Sequence, residues 1–103
     1  MSESRLIYEC MRELGRHGAV FRTNAGQFYT KSGQRVGGLP KGFSDLLFIR
    51  DDGVSCFVEV KDKPDKPSPE QTVFLEKMMA LSARAGVAYT VDDALRICGI
   101  DGA

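Results

Sequence analysis

Two apolar runs on either side of a tight-turn signal constrain this fold more than any other feature of the chain. Residues 44–61 read SDLLFIRDDGVSCFVEVK, and both runs are rich in β-branched, aliphatic and aromatic residues. The Asp51-Asp52-Gly53 step between them is typical of a three-residue hairpin loop with glycine in the left-handed conformation. The segment therefore predicts two antiparallel strands joined at residues 51–53.

The position of this loop also predicts which side chains face each other across the hairpin. Counting back from it places Asp45 directly opposite Glu59, with Cβ atoms about 4.5–5.5 Å apart on one face. Lys61 lies two residues beyond Glu59 and therefore on the same face. A bulge in the loop would shift this register by one residue. We expect two carboxylates and one ammonium at the open end of the hairpin.

This group of charges has a chemical interpretation and a simpler alternative. Like charges that face each other destabilise a sheet, and burial would increase the cost. A divalent cation would reverse the sign of that interaction, and carboxylate, water and substrate oxygens suit Mg²⁺ or Mn²⁺ rather than zinc. Lys61 could then position or help deprotonate a water, or neutralise charge on a phosphate. The alternative is a solvated Glu–Lys ion pair at a sheet edge.

Further helices and strands are predicted on both sides of the hairpin. Apolar spacings of three and four predict helices over 2–15, from Ser68 to about Arg84 and over 92–98. Their predicted N-caps are Ser2, Ser68 and Asp92, and Gly86 is the predicted helix breaker. The second helix has a predicted apolar face, made of Val73, Phe74, Leu75, Met78, Met79 and Leu81.

Short apolar runs predict two more strands, at 19–24 and 86–91. Residues 25–42 are rich in glycine and cations and predict a long loop or an irregular hairpin. The strand–helix–strand step over 54–91 should be parallel and right-handed. We therefore predict an α/β fold, with helices flanking a small mixed β-sheet whose centre is the hairpin.

Length and composition set the broad class of the protein. A chain of 103 residues is enough for one domain, taken as 1–103, and too short for two. Hydrophobic residues make up 43% and charged residues 27%, as in soluble globular proteins. The three cysteines form no CxxC pair and predict small core residues in a reducing compartment. No apolar run approaches the roughly 20 residues of a membrane helix, so we expect an intracellular protein.

The charges are balanced in number but segregated along the chain. Lys plus Arg and Asp plus Glu are equal at 14 each, yet residues 15–43 contain cations and no acidic residue. Such a segment favours phosphate contacts that position DNA without reading its sequence. The alternative is ordinary solvent-exposed loop charge. The candidate DNA-binding residues are Arg22, Lys31, Arg35 and Lys41. Phe28 and Tyr29 are weaker candidates for stacking on bases.

An ordered set of motifs in this chain resembles a known family. The set is GLPKGFSDLL at 38–47, EVK at 59–61 and SPEQ at 68–71, with RTNAG at 22–26 and GVAYTV at 86–91. Together these segments resemble the VRR-NUC domain of the PD-(D/E)XK nuclease superfamily, which includes restriction enzymes and Holliday junction resolvases. The resemblance implies a restriction-endonuclease-like core and a Mg²⁺- or Mn²⁺-dependent, structure-selective DNA endonuclease. The alternative is a DNA-binding module without catalysis on the same fold.

The resemblance also implies roles for individual residues. Asp45 and Glu59 would bind the metal, with the Val60 carbonyl as a further ligand, and Lys61 would be the catalytic lysine. Gln71 matches a glutamine that such nucleases place near the active site. It also stands where a capping box would need it.

The first helix should supply one more acidic residue to the metal site. Glu3 fits better than Glu9, because Glu3 precedes the apolar run and shares its face. Glu9 lies one helical turn from both Arg5 and Arg12 and is more typical of a solvated helix charge.

One position departs from the superfamily pattern. Ser44 stands where the superfamily usually has proline before the aspartate, which should alter local geometry more than chemistry.

The resemblance to stand-alone VRR-NUC domains of bacteria and phages implies a homodimer that acts on branched DNA such as a four-way junction or a flap. The expected location is then the cytoplasm of a bacterium or of a phage-infected host.

Overall fold

The computed structural model describes residues 2–24, 28–36 and 38–100. In this part of the chain the helices are α1 (Glu3–Leu14), α2 (Pro69–Ala80) and α3 (Val91–Ile97). The strands are β1 (Gly18–Arg22), β2 (Phe28–Tyr29), β3 (Arg35–Val36), β4 (Leu46–Arg50), β5 (Ser55–Val60) and β6 (Arg84–Ala88). No helix among these has the length and apolar character needed to cross a bilayer.

The main sheet is mixed, with the predicted hairpin at its centre. Its strand order is β1-β4-β5-β6. The pairs β1·β4 and β4·β5 are antiparallel, whereas β5·β6, joined through α2, is parallel. Strands β2 and β3 form a separate two-stranded sheet, which confirms an irregular hairpin in the glycine-rich segment. The predicted α/β architecture is therefore confirmed.

The hairpin register is also confirmed, since the pairing of β4 with β5 runs as predicted from the loop. Leu46 pairs with Val58, and the ladder continues to Ile49 opposite Ser55. The Arg50 N–H donates to the Val54 carbonyl at 2.9 Å. Gly53 has a φ of +87°, the left-handed conformation that the loop required.

The alternation of side chains along β4 and β5 separates two faces of the sheet. One face packs under α1 and α3, and its fully buried residues are Leu46, Phe48, Cys56, Val58 and Val60. On the other face, Phe57 contacts Phe74 of α2, with ring centroids 5.6 Å apart. Phe43 completes this ring cluster at 4.5 Å from Phe74. The sheet thus lies between two helical layers, and Asp45, Glu59 and Lys61 belong to the α2 face.

The prediction that the three cysteines are small core residues is confirmed. Cys10, Cys56 and Cys98 are free thiols, and each is fully buried in the core under α1 and α3. Burial raises the pKa of the Cys10 thiol to about 11, which keeps it protonated at neutral pH.

Helix α2 ends earlier than its sequence predicts. The helix stops at Ala80, with Leu81 as C-cap, rather than near Arg84. Ser82 then adopts a left-handed φ of +70°, and the chain enters β6 four residues after the helix ends. Gly86 lies within β6 and does not break a helix. It permits close packing of α3, because a Cβ there would lie 3.0 Å from the Ile97 side chain.

Two further sequence predictions for the C-terminal half are wrong. Strand β6 covers 84–88 rather than 86–91, and Thr90 rather than Asp92 caps α3. The Thr90 side chain accepts the Asp93 N–H at 3.0 Å. The carboxylate of Asp93 accepts the Tyr89 N–H at 2.9 Å and links the end of the strand to the first turn of the helix.

The apolar face predicted for α2 is only partly buried. Leu75 is buried, and Phe74 lies in the ring cluster, whereas Val73 and Leu81 are 63% and 69% exposed. Met79 is also exposed. The helix rests on the sheet through few residues, so its sequence pattern overstates the area it covers.

Candidate functional site

The two opposed carboxylates lie side by side, and each is held by a backbone N–H of the opposite strand. The Asp45 N–H donates to Glu59 Oε1 at 3.1 Å, and the Val60 N–H donates to Asp45 Oδ2 at 2.9 Å. These bonds lie just beyond Leu46, where the β4·β5 ladder ends and backbone N–H groups donate to side-chain oxygens instead of backbone carbonyls. They fix both carboxyl groups and leave the second oxygen of each outside the ladder.

Lys61 completes the predicted group of three charges. Its Nζ lies 3.5 Å from Glu59 Oε2, and its side chain is 16% exposed. The Lys61 N–H donates to the Ala88 carbonyl at 3.0 Å, so pairing with β6 continues one residue past β5. The ammonium is therefore held beside the buried Glu59 carboxylate, and part of the Lys61 side chain is exposed to solvent.

Glu59 is the member of the group whose ionised form lies in an unfavourable environment. It is 1% exposed, and its Oε2 accepts no hydrogen bond from any described residue. Burial, together with the nearby Asp45 charge, raises the pKa of Glu59 from its ordinary 4.5 to about 7. The Lys61 charge and the Asp45 N–H oppose this shift but do not cancel it. Glu59 can therefore hold a proton near neutral pH.

The contacts of the pair offset part of the repulsion between the opposed carboxylates. Each carboxylate accepts a backbone N–H, and the Lys61 ammonium lies 3.5 Å from Glu59 Oε2. A divalent cation would offset this repulsion further.

The donor set nevertheless suits a small divalent cation. Glu59 Oε2 is a buried oxygen with no hydrogen bond from the described residues, and Asp45 has a second carboxylate oxygen outside the ladder. Hard oxygen ligands of this kind match Mg²⁺ and Mn²⁺. Among residues 2–24, 28–36 and 38–100, no three His, Cys, Asp or Glu side chains converge as one metal-binding group. Water and substrate oxygens would have to complete the shell, as Mg²⁺ sites often require.

Comparison with known proteins decides the family. The family model of the VRR-NUC domain matches residues 7–92, most of the chain and all of the hairpin. The chain belongs to the VRR-NUC family. It is thus a nuclease-like DNA-processing domain with a PD-(D/E)XK-like fold.

A solved structure supports the fold of this VRR-NUC domain. A chain titled "VRR_NUC domain" matches with a TM-score of 0.67 and 24% identity, covering 94% of each chain. No curated protein matches the chain.

The VRR-NUC site has no third carboxylate among its described residues. Glu3 lies in the first turn of α1, which packs on the opposite face of the sheet from Glu59. Glu9 forms an ion pair with Arg5 at 3.1 Å, as its spacing predicted. The VRR-NUC match includes Glu9 and begins after Glu3.

Gln71 serves the start of α2. Its Oε1 accepts the Ser68 N–H at 2.8 Å, and its own N–H donates to Ser68 Oγ at 3.2 Å. This is the capping box that the sequence predicted. The capping bond uses the oxygen of the side-chain amide, so its nitrogen can still donate to a ligand near the helix N-terminus.

Three of the four predicted DNA-binding residues have exposed side chains in the described part of the chain. Arg22, Lys31 and Lys41 are exposed, and so is Tyr29. The side chains of Arg35 and Phe28 lie outside the described part of the chain, although their backbones form β3 and β2.

Sequence reasoning missed two hydroxyl groups that border the site. Thr23 Oγ1 donates to the Ser44 carbonyl at 2.5 Å, and Ser44 Oγ donates to the Leu46 carbonyl at 2.9 Å. Ser44 is 1% exposed. The available signal was the strand register, because extending β1 by one residue places Thr23 beside Asp45.

Proposed function

We propose that this VRR-NUC domain is a Mg²⁺- or Mn²⁺-dependent endonuclease that hydrolyses phosphodiester bonds in branched DNA. One observation carries the proposal: Asp45, Glu59 and Lys61 converge on the α2 face, where a buried Glu59 oxygen lacks a hydrogen bond from the described residues. The ion pair with Lys61 at 3.5 Å is a long contact, and a buried carboxylate oxygen without a good hydrogen bond costs stability. Coordination of a metal ion would satisfy this oxygen, which supports a role for Glu59 as a metal ligand.

The carboxylates of Asp45 and Glu59, with the Val60 carbonyl, would hold the metal. A bound divalent cation would polarise the scissile phosphate and lower the pKa of a coordinated water. The Asp45 and Val60 N–H groups keep both carboxylates oriented before any ligand arrives. This preorganisation reduces the cost of assembling the site.

Lys61 has the chemistry of a group that acts on the substrate. Its ammonium can donate to a nonbridging phosphate oxygen and stabilise the negative charge that develops during hydrolysis. Its ion pair with Glu59 holds the ammonium 3.5 Å from a carboxylate oxygen that would bind the metal, which supports this role. We also propose a supporting role for Gln71, through its amide donors. Glu3 would act as the further acidic group only if its carboxylate approached Asp45 and Glu59, with which it does not converge in the described part of the chain.

Charge and size support the proposed substrate class. Five cations and no acidic residue in 15–43 suit backbone phosphates rather than base edges. The domain has a radius of gyration of 13.9 Å and covers little DNA alone. A two-fold homodimer would present two such sites to a four-way junction, whose strands are related by the same symmetry.

Cleavage assays with labelled DNA test the activity. Purified protein is incubated with four-way junction, flap and duplex DNA, with Mn²⁺ or with EDTA, beside Lys61→Ala. Lys77→Ala, in the last turn of α2, serves as the matched lysine control. We expect Mn²⁺-dependent cutting of branched substrates, reduced in Lys61→Ala by about 10²-fold or more and retained in the control.

The competing function is DNA binding without catalysis. The lack of a third carboxylate among the described residues favours it. Binding that ignores divalent metal, together with no cutting of any substrate, would establish that function in place of the nuclease.

A further inference from the structure

Thr23 extends the central sheet to the edge of the candidate metal site. It follows Arg22, the last residue of β1, which pairs with Leu46. The Thr23 N–H donates to the Asp45 carbonyl at 3.0 Å, which adds one more step to the ladder. Thr23, Asp45 and Glu59 therefore form one row across three strands.

The Thr23 hydroxyl adds a second attachment to the same segment. Its Oγ1 lies 2.5 Å from the Ser44 carbonyl and 3.2 Å from the Asp45 carbonyl. Thr23 is partly buried, so water competes less for these contacts than at an exposed position. The threonine thereby binds the backbone carbonyls of both Ser44 and Asp45.

Ser44 restrains the same backbone segment through a hydrogen bond from its own side chain. Its side chain is buried, and its Oγ donates to the Leu46 carbonyl at 2.9 Å. Proline would stiffen this position through its ring. With serine there, hydrogen bonds from two hydroxyl groups provide the restraint instead.

We propose that Thr23, with Ser44, is a positioning residue that sets the metal affinity of the site by fixing the backbone of Asp45. The Asp45 N–H binds Glu59, and the Asp45 carboxylate binds the Val60 N–H. A backbone shift at Asp45 therefore disturbs both contacts and separates the two carboxylates. The effect on metal binding rests on the proposed function, whereas the effect on geometry does not.

Amide hydrogen exchange in the metal-free protein tests the geometric part. Thr23→Val keeps the branched shape and strand preference but removes the hydroxyl. We expect the Asp45 and Val60 amides to exchange about tenfold faster in this variant, as for the removal of one hydrogen bond. Thr23→Ser retains the hydroxyl and should restore protection.

The matched control is Thr90→Val. It also removes one threonine hydroxyl interaction, the N-cap of α3, at a position outside the site. Its Asp45 and Val60 amides should exchange as in the wild type. Equal exchange at these amides in Thr23→Val and Thr90→Val would overturn the proposal, whatever the metal result.

Calorimetric titration with Mn²⁺ then tests the consequence for the ligand. We expect Thr23→Val to bind Mn²⁺ at least about tenfold more weakly than Thr90→Val, since removal of groups that orient metal ligands typically costs 10–100-fold. Binding of equal strength in the two variants would refute the affinity claim. If the wild type binds no Mn²⁺, the proposed nuclease function fails, and the exchange data alone decide the role of Thr23.

Discussion

At the scale of single residues, Glu59 is a buried carboxylate that is also a proposed metal ligand. Its carboxyl group is removed from water, faces a second carboxylate and has one oxygen without a hydrogen bond among the described residues. Such a group is costly when ionised. The proton that it takes up near neutral pH reduces this cost, and a bound cation would do the same.

The raised pKa of Glu59 predicts how stability changes with pH in the metal-free protein. In the unfolded chain this carboxyl has an ordinary pKa of 4.5, and in the folded protein about 7. Between these values the folded state keeps a proton that the unfolded state has released. The stabilisation that this bound proton gives to the folded protein is therefore complete below pH 4.5, the pKa in the unfolded chain. It is lost as pH rises through about 7, the pKa in the folded protein.

Urea unfolding in EDTA measures this dependence against a variant that cannot titrate. From about pH 5 to about pH 8, the wild type should lose on the order of 2–3 kcal/mol of unfolding free energy relative to Glu59→Gln, at about 1.4 kcal/mol per pKa unit. Parallel pH curves for the two proteins would show that Glu59 keeps an ordinary pKa.

At the scale of secondary-structure elements, glycine is required at two positions of the central hairpin and its neighbouring strand for different reasons. Gly18, in β1, lies so close to β4 that an added Cβ would be 2.1 Å from the Ile49 carbonyl oxygen. Gly53, in the hairpin loop, has open space around it but a φ of +87°. One glycine is needed for a close approach of strands and the other for a backbone conformation.

Alanine substitution should separate these two causes. Gly18→Ala must push β1 away from β4, and we expect a decrease of about 3 kcal/mol or more in unfolding free energy. Gly53→Ala should cost about 1–2 kcal/mol, the penalty for a left-handed alanine. Gly53→Asn should cost less, since asparagine tolerates that conformation. Thermal unfolding of the three variants measures the order, and a larger decrease for Gly53→Ala than for Gly18→Ala would contradict it.

At the scale of the whole molecule, equal numbers of opposite charges conceal a cationic segment. The exposed residues Arg22, Lys31 and Lys41 all fall in 15–43, where no acidic side chain occurs. Binding of each phosphate releases counterions and makes DNA affinity fall as salt rises. The segregation of charge therefore predicts salt-dependent DNA affinity in a protein of zero formal net charge.

A triple variant tests this prediction. Alanine at Arg22, Lys31 and Lys41 should weaken DNA binding and reduce the slope of log affinity against log salt by about 0.9 for each phosphate that is no longer neutralised. The matched control replaces three exposed cations outside the segment, Arg12, Lys66 and Lys77. Fluorescence anisotropy at several salt concentrations measures both slopes, and equal slopes for the two variants would refute a role for the segment.

Local sequence determined the hairpin, its register and most helix starts. The loop chemistry of Asp51-Asp52-Gly53 and the alternation along the two strands lie in adjacent residues, so they could be interpreted without the rest of the fold. Ser2 and Ser68 cap their helices for the same reason. The pairing of Asp45 with Glu59 followed from this register alone.

Only the tertiary structure decided the features that depend on distant segments. The exposure of Val73 follows from how little of α2 meets the sheet, and the helix ends just before Ser82 turns the chain with a φ of +70°. Thr23 reaches Ser44 and Asp45 from 21 and 22 residues away, an interaction that no local pattern encodes. The burial of Glu59, and with it the raised pKa, likewise arises only when the two helical layers close over the sheet, because desolvation is a property of the packed molecule.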